Sequence, residues 1–166
     1  MTTRVLLVDD HAMMREGLAV LLAGAGMEIV GSVGTGRDAV RTAIATSPDV
    51  VVMDLSMPEM NGIEATREIC TRMPAVQVVV LSMHSNREHV YQALNAGATG
   101  YVLKDAASTE LVSAVRAVCA GRRYVSPAIG PLTEASGHRG PLASLSARER
   151  QVLQLVVEGR TSAEIA

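Results

Sequence analysis

VVVMDLSMP, residues 50–58, decides the fold. Val50, Val51, Val52 and Met53 run without a polar break into Asp54. An apolar run this short and this continuous reads as a strand buried on both faces, as in a parallel sheet. The pattern recurs along the chain. Residues 5–8 run into Asp9 and Asp10, residues 76–81 end in Ser82, and residues 101–103 run into Lys104, the only lysine in the protein. In open α/β sheets ligands sit beyond the carboxyl ends of the strands. The pattern therefore gathers three carboxylates, one hydroxyl and one ammonium at one end of one sheet.

Helical patterns fill the intervals. Met14, Leu18, Leu21 and Leu22 keep helical spacing, and Gly24 and Gly26 close that helix. Residues 28–33 read as a second strand, and residues 37–45 as a helix stopped by Ser47-Pro48. Pro58 and Asn61-Gly62 mark a loop, after which Ile63, Ile69 and Met73 carry a helix to Pro74. Helices over residues 87–95 and 108–120 are closed by Gly97 and Gly121. Five βα units in series predict a doubly wound, five-stranded parallel sheet covered on both faces, in the flavodoxin-like strand order. On the last helix Leu111, Val115 and Val118 face the core. Val112 and Cys119 fall elsewhere, either as an apolar stripe for dimerisation or as contacts with a neighbouring helix.

Composition narrows the function. Hydrophobic residues make up 48% of the 166, enough for a core, but Phe and Trp are absent and Tyr occurs three times. The core must then be aliphatic with Met as filler, and stacking on nucleic-acid bases is excluded as a main binding mode. Cys70 and Cys119 are isolated and read as two buried thiols in a reducing compartment. No apolar run approaches the ~20 residues of a membrane span, and the amino terminus does not read as a signal peptide. The expected location is cytoplasmic, with no membrane partner.

The strand-end residues suit phosphoryl transfer. Hard carboxylate oxygens at Asp9, Asp10 and Asp54 suit Mg²⁺, which takes a few carboxylates plus waters and a phosphate. Asp54 is a candidate nucleophile, because carboxylates form acyl phosphates. Lys104 would act as a point charge on a phosphate oxygen, and Ser82 would donate a hydroxyl hydrogen bond.

Residues 4–121 resemble the receiver domain of a two-component response regulator. The resemblance rests on Asp9-Asp10, on Asp54 within VVMDLSMP, on Asn61-Gly62, on Ser82, and on Tyr101 ahead of Lys104. It implies that Asp54 is the phosphoacceptor, supplied by a sensor histidine kinase. It implies that Asp10, Asp54 and the Ser56 backbone carbonyl bind Mg²⁺ directly and that Asp9 helps through water. Lys104 would pair with the acceptor and its phosphoryl group, while Ser82 and Tyr101 form a switch pair. On phosphorylation Ser82 would swing toward the new oxygens and Tyr101 would turn inward behind it. Ser56 and His84, two residues after Asp54 and Ser82, would flank the attacking water and set the lifetime of the phosphorylated state. Many receivers carry Pro after this lysine, where Asp105 stands here. That variant, with Asp10-His11, residues 15–18 and residues 96–101, is similar to the subfamily with a LuxR-type (NarL-type) output domain.

The remainder changes character. Residues 122–144, with glycines alternating with prolines, read as a linker holding one short turn near residues 127–129. Charge divides with it: residues 1–121 hold nine basic and thirteen acidic side chains, residues 122–166 six and four. Ser146 with Glu149 and Thr161 with Glu164 form two capping boxes around Gly159. Residues 145–166 resemble the start of a LuxR-type helix-turn-helix, whose recognition helix would follow Ala166. The expectation is a phosphorylation-dependent regulator of transcription that acts as a homodimer. It would bind DNA only through the complete output domain, and would hydrolyse its own phosphoryl group slowly without an external substrate. Two rivals stand beside it. A receiver could act as an interaction module without phosphate control. A Mg²⁺-dependent aspartyl phosphohydrolase would want a carboxylate where Ser56 stands.

Overall fold

A computed structural model describes residues 2–57, 60–130 and 132. Six parallel strands form one sheet in the order β2-β1-β3-β4-β5-β6. They are β1 (Arg4–Val8), β2 (Glu28–Val33), β3 (Val50–Asp54), β4 (Gln77–Ser82), β5 (Gly100–Leu103) and β6 (Tyr124–Val125). The helices between them are α1 (Ala12–Gly24), α2 (Gly36–Thr46), α3 (Gly62–Arg72), α4 (Arg87–Asn95) and α5 (Ala107–Cys119). The flavodoxin-like architecture is as the sequence predicts, but the sheet has six strands rather than five. The sixth is two residues long and lies where the sequence reads as linker. So short a strand carries no periodicity, and it forms because β5 offers it an open edge.

Alternation along the strands sorts the layers. Val5, Leu7, Val50, Val52, Val79, Leu81 and Val102 pack against Leu18 and Leu22 of α1 and Leu111, Val115 and Val118 of α5. The other face of the sheet meets α2, α3 and α4. Among the described residues Tyr101 is the largest fully buried side chain, and in a core without Phe or Trp it supplies the only aromatic ring at that depth. Val112 packs half-buried against the α1–α5 core, while Cys119 is exposed. Cys119 is exposed and Cys70 half-buried, which corrects the expectation of two buried thiols.

The short turn expected near residues 127–129 is a 3-10 turn over Pro127–Ile129. The rest of the linker, from Pro131 onward except Leu132, lies outside the described residues, as do Pro58 and both capping boxes. No helix among the described residues is long and apolar enough to cross a membrane.

Candidate functional site

Strand register assembles the site. Val8 pairs with Met53, so Asp9 follows β1 beside Asp54 at the end of β3. Asp54 pairs with Leu81, and Ser82 with Leu103, which brings Ser82 and Lys104 to the same end of the sheet. Asn61 caps α3, its side-chain oxygen accepting the Glu64 amide at 2.9 Å. Gly62 follows because the chain leaves no room for a side chain there: a Cβ would lie 2.2 Å from the Asp54 carbonyl oxygen and 2.8 Å from Leu55 Cα. The first turn of α3 is thus seated on the backbone of Asp54 itself.

Lys104 Nζ lies 3.0 Å from Asp54 Oδ1. It also approaches Asp9 Oδ2 at 3.3 Å, as an ion pair without hydrogen-bond geometry. The Ser56 amide donates to Asp54 Oδ1 at 3.3 Å. Both Asp9 and Asp54 are almost wholly buried, and Asp9 Oδ2 and Asp54 Oδ2 have no hydrogen-bond partner among the described residues. Burial pushes the Asp54 carboxyl above the ordinary carboxylate value; the Lys104 hydrogen bond opposes the rise and the Asp9 charge adds to it. Burial also works against the Lys104 ammonium, but its hydrogen bond to Asp54 and the charges of Asp54 and Asp9 outweigh it and raise its pKa.

A divalent cation fits this chemistry. Ligand atoms of Asp9, Asp10, His11 and Asp54 all lie within 4.8 Å of one another. Three carboxylates against one ammonium leave the pocket negative, and two buried carboxylate oxygens have no donor to satisfy them. An oxygen-seeking dication relieves both conditions.

Ser82 and Tyr101 both meet the backbone of His84. Ser82 is buried, and its hydroxyl accepts the His84 amide at 2.9 Å. Tyr101 is 0% exposed, with its hydroxyl donating to the His84 carbonyl at 2.8 Å. Its ring therefore lies inside the core. Burial raises the Tyr101 pKa, while a bond to Ser82 works the other way. His84 meets these residues through its backbone. Its imidazole stacks on that of His89, with ring centroids 4.1 Å apart.

Two residues at the site were quoted in the sequence only as subfamily likenesses. His11 Nδ1 lies 3.2 Å from Asp9 Oδ1 and 3.1 Å from Asp10 Oδ1. Its position directly after the aspartate pair is the signal that could have found it. Arg15 donates through Nη1 to the Asp9 carbonyl at 2.5 Å and through Nε to Ser32 Oγ at 2.9 Å. Ser32 comes from a strand on the far side of a helix, so nothing local marks that contact.

An acidic pocket at the carboxyl ends of a flavodoxin-like sheet, with a buried carboxylate held by one lysine, is the arrangement of a receiver. Comparison with known proteins agrees. Residues 5–116 match the response regulator receiver domain, and residues 143–166 match the luxR family of bacterial regulatory proteins. The chain belongs to the response regulator family, in the group with a LuxR-family output. It is 40% identical to transcriptional regulatory protein LiaR of Bacillus subtilis, over 98% of this chain and 80% of LiaR. It is 38% identical to the DNA-binding transcriptional activator DevR/DosR of Mycobacterium tuberculosis, over 98% of this chain and 78% of that one. A crystal structure of a LuxR-family two-component response regulator from Aurantimonas sp. SI85-9A1 superposes with a TM-score of 0.75 at 42% identity, covering 78% of this chain and 93% of that one.

Proposed function

We propose that Asp54 accepts a phosphoryl group from a sensor histidine kinase and that this controls transcription through the LuxR-type region. The observation that carries the reading is the state of Asp54: one oxygen is held by Lys104 and the Ser56 amide, while the other, Oδ2, is buried and unpartnered. An oriented carboxylate with one free oxygen is a nucleophile in waiting. Lys104 fixes the carboxylate and supplies positive charge for the incoming phosphoryl oxygens.

Asp10, Asp54 and the Ser56 backbone carbonyl would hold Mg²⁺, with Asp9 contributing through water. The ion would neutralise phosphoryl charge. Asp9 also ties down its own loop, since its Oδ1 accepts the His11 amide at 2.8 Å. Ser82 offers its hydroxyl to the phosphorylated acceptor, and Ser56 and His84 tune how fast the phosphoryl group is lost. Phosphorylation would switch dimerisation and DNA binding of the complete output domain, in a cytoplasmic protein whose only turnover is of its own phosphoryl group.

Intact-mass spectrometry after incubation with Mg²⁺ and acetyl phosphate tests this. The parent should gain one phosphoryl group and Asp54→Asn none. Equal labelling of both would place the acceptor elsewhere, and no labelling of a Mg²⁺-binding parent would favour an interaction module without phosphate control.

A further inference from the structure

The segment that leaves the last receiver helix is fastened to β5, the strand that leads into Lys104. Tyr101 pairs with Val125, the Tyr124 amide donates to the Thr99 carbonyl at 3.0 Å, and the Ser126 amide donates to the Tyr101 carbonyl at 2.9 Å. There β6 ends, one step too early to serve Leu103. Ser126 completes the ladder with its side chain: the Leu103 amide donates to Ser126 Oγ at 2.9 Å. The same hydroxyl donates to Glu110 Oε1 at 2.6 Å, and Ser126 is 1% exposed. A buried hydroxyl with its acceptor and donor roles both filled, one by a carboxylate, is held more firmly than a neutral pair would hold it. The Ile129 amide then donates to the Ser126 carbonyl at 3.0 Å, which seats the following 3-10 turn.

Leu103 immediately precedes Lys104. Its amide lies in the Val102–Leu103 peptide, one residue before the Lys104 backbone from which the side chain reaches Asp54 and Asp9. We propose that Ser126, held by Glu110, is a positioning residue for Lys104 and ties the Asp54–Lys104 site to the segment that continues toward the LuxR-type region. The coupling half of this rests on the phosphoacceptor reading of Asp54; the positioning half does not. Coupling of this kind is reciprocal: whatever shifts Lys104 alters the hold on residues 124–129, and whatever loosens that segment alters Lys104.

Lys104 is the only lysine, so protein labelled with ¹³C-lysine gives one side-chain Cε resonance and no assignment problem. In Ser126→Ala this signal should move toward that of free lysine, and the Leu103 amide should exchange about fivefold faster, the factor that one hydrogen bond of ~1 kcal/mol represents. Glu110→Gln keeps an acceptor for Ser126 and should leave both near the parent. Phosphoryl gain from acetyl phosphate and Mg²⁺ should slow about fivefold in Ser126→Ala. Phosphorylation should change amide exchange over residues 124–129 in the parent but not in that variant. An unmoved lysine signal in Ser126→Ala overturns the proposal. So does an unchanged rate of phosphoryl gain with a faster Leu103 amide, because Ser126 would then only clamp the strand. A parent that takes no phosphoryl group refutes the function reading and with it the coupling half, while the lysine resonance still decides the positioning half.

Discussion

Gly62→Ala tests the seating of α3 on the backbone of Asp54. The added Cβ would lie 2.2 Å from the Asp54 carbonyl oxygen, 2.8 Å from Leu55 Cα and 2.9 Å from the Asp54 carbonyl carbon. All three neighbours are backbone, so no flexible side chain can yield. Reaching even a tight contact of 3.0 Å needs a shift of at least 3.0 − 2.2 = 0.8 Å. Overpacking of this kind costs roughly 1–3 kcal/mol. Gly62 is the first residue of α3, where the interior helix propensity of Ala gives little back. A net loss of about 1–3 kcal/mol follows, or a fall in Tm of roughly 4–12 °C for a domain of this size. The displaced atoms belong to Asp54, and a misplacement near 1 Å at a reacting group can cost on the order of 100-fold in rate. Phosphoryl gain should therefore slow by about 10- to 100-fold even where the variant is fully folded. Gly17→Ala is the control: Gly17 lies within α1, and a Cβ there meets nothing within 4 Å, so the variant should be about 0.5–1 kcal/mol more stable than the parent. Thermal and urea unfolding, with mass spectrometry for phosphoryl gain, read both variants. A Gly62→Ala protein as stable and as reactive as the parent would refute the reasoning.

Burial raises the Asp54 pKa, so the folded state holds this proton more tightly than the unfolded chain does. The contribution of Asp54 to stability is full below the ordinary carboxylate value and is lost as pH rises through the raised one. Asp54→Asn in chelator should thus be the more stable protein at pH 7 by urea unfolding, with the gap closing toward pH 4; a gap of opposite sign would show that the Lys104 pair outweighs burial. Mg²⁺ should stabilise the parent by about 2.7 kcal/mol at 100 times its Kd, an effect that EDTA reverses and that Asp10→Ala weakens; an equal Tm shift in Asp10→Ala would remove Asp10 from the ligand set. Tyr101→Phe leaves the His84 carbonyl without its hydroxyl donor and should lose about 1 kcal/mol in unfolding measurements, whereas an unchanged stability would mean that the bond is not formed in solution.

Much of this was legible because parallel strands advertise themselves. The runs ending in Asp54, Ser82 and Lys104 are apolar to the last residue before the functional group, since a strand covered on both faces has no polar position until it emerges. One reading of four strand ends therefore places Asp9, Asp54, Ser82 and Lys104 together, as the register bears out. The contacts that escaped the sequence have no period to betray them. Ser126 meets Leu103 across 23 positions and Glu110 across 16, and Tyr124–Val125 is a strand only because β5 leaves an edge for it. The depth of Tyr101 is equally invisible locally, because a local pattern says nothing about which rotamer a core selects. Val112 shows the same limit: helical spacing places it off the core face, but its burial depends on what the neighbouring helix offers.

The Ser82 and Tyr101 hydroxyls both end on the backbone of His84, one at its amide and one at its carbonyl. A stimulus moves an equilibrium only by the difference in its affinity for the two arrangements. Any rearrangement that carries either side chain away must therefore overcome the loss of that bond, roughly 1–3 kcal/mol where the backbone group it leaves stays buried and unpaired. The loop after β4 is in this way a shared anchor for side chains from two neighbouring strands.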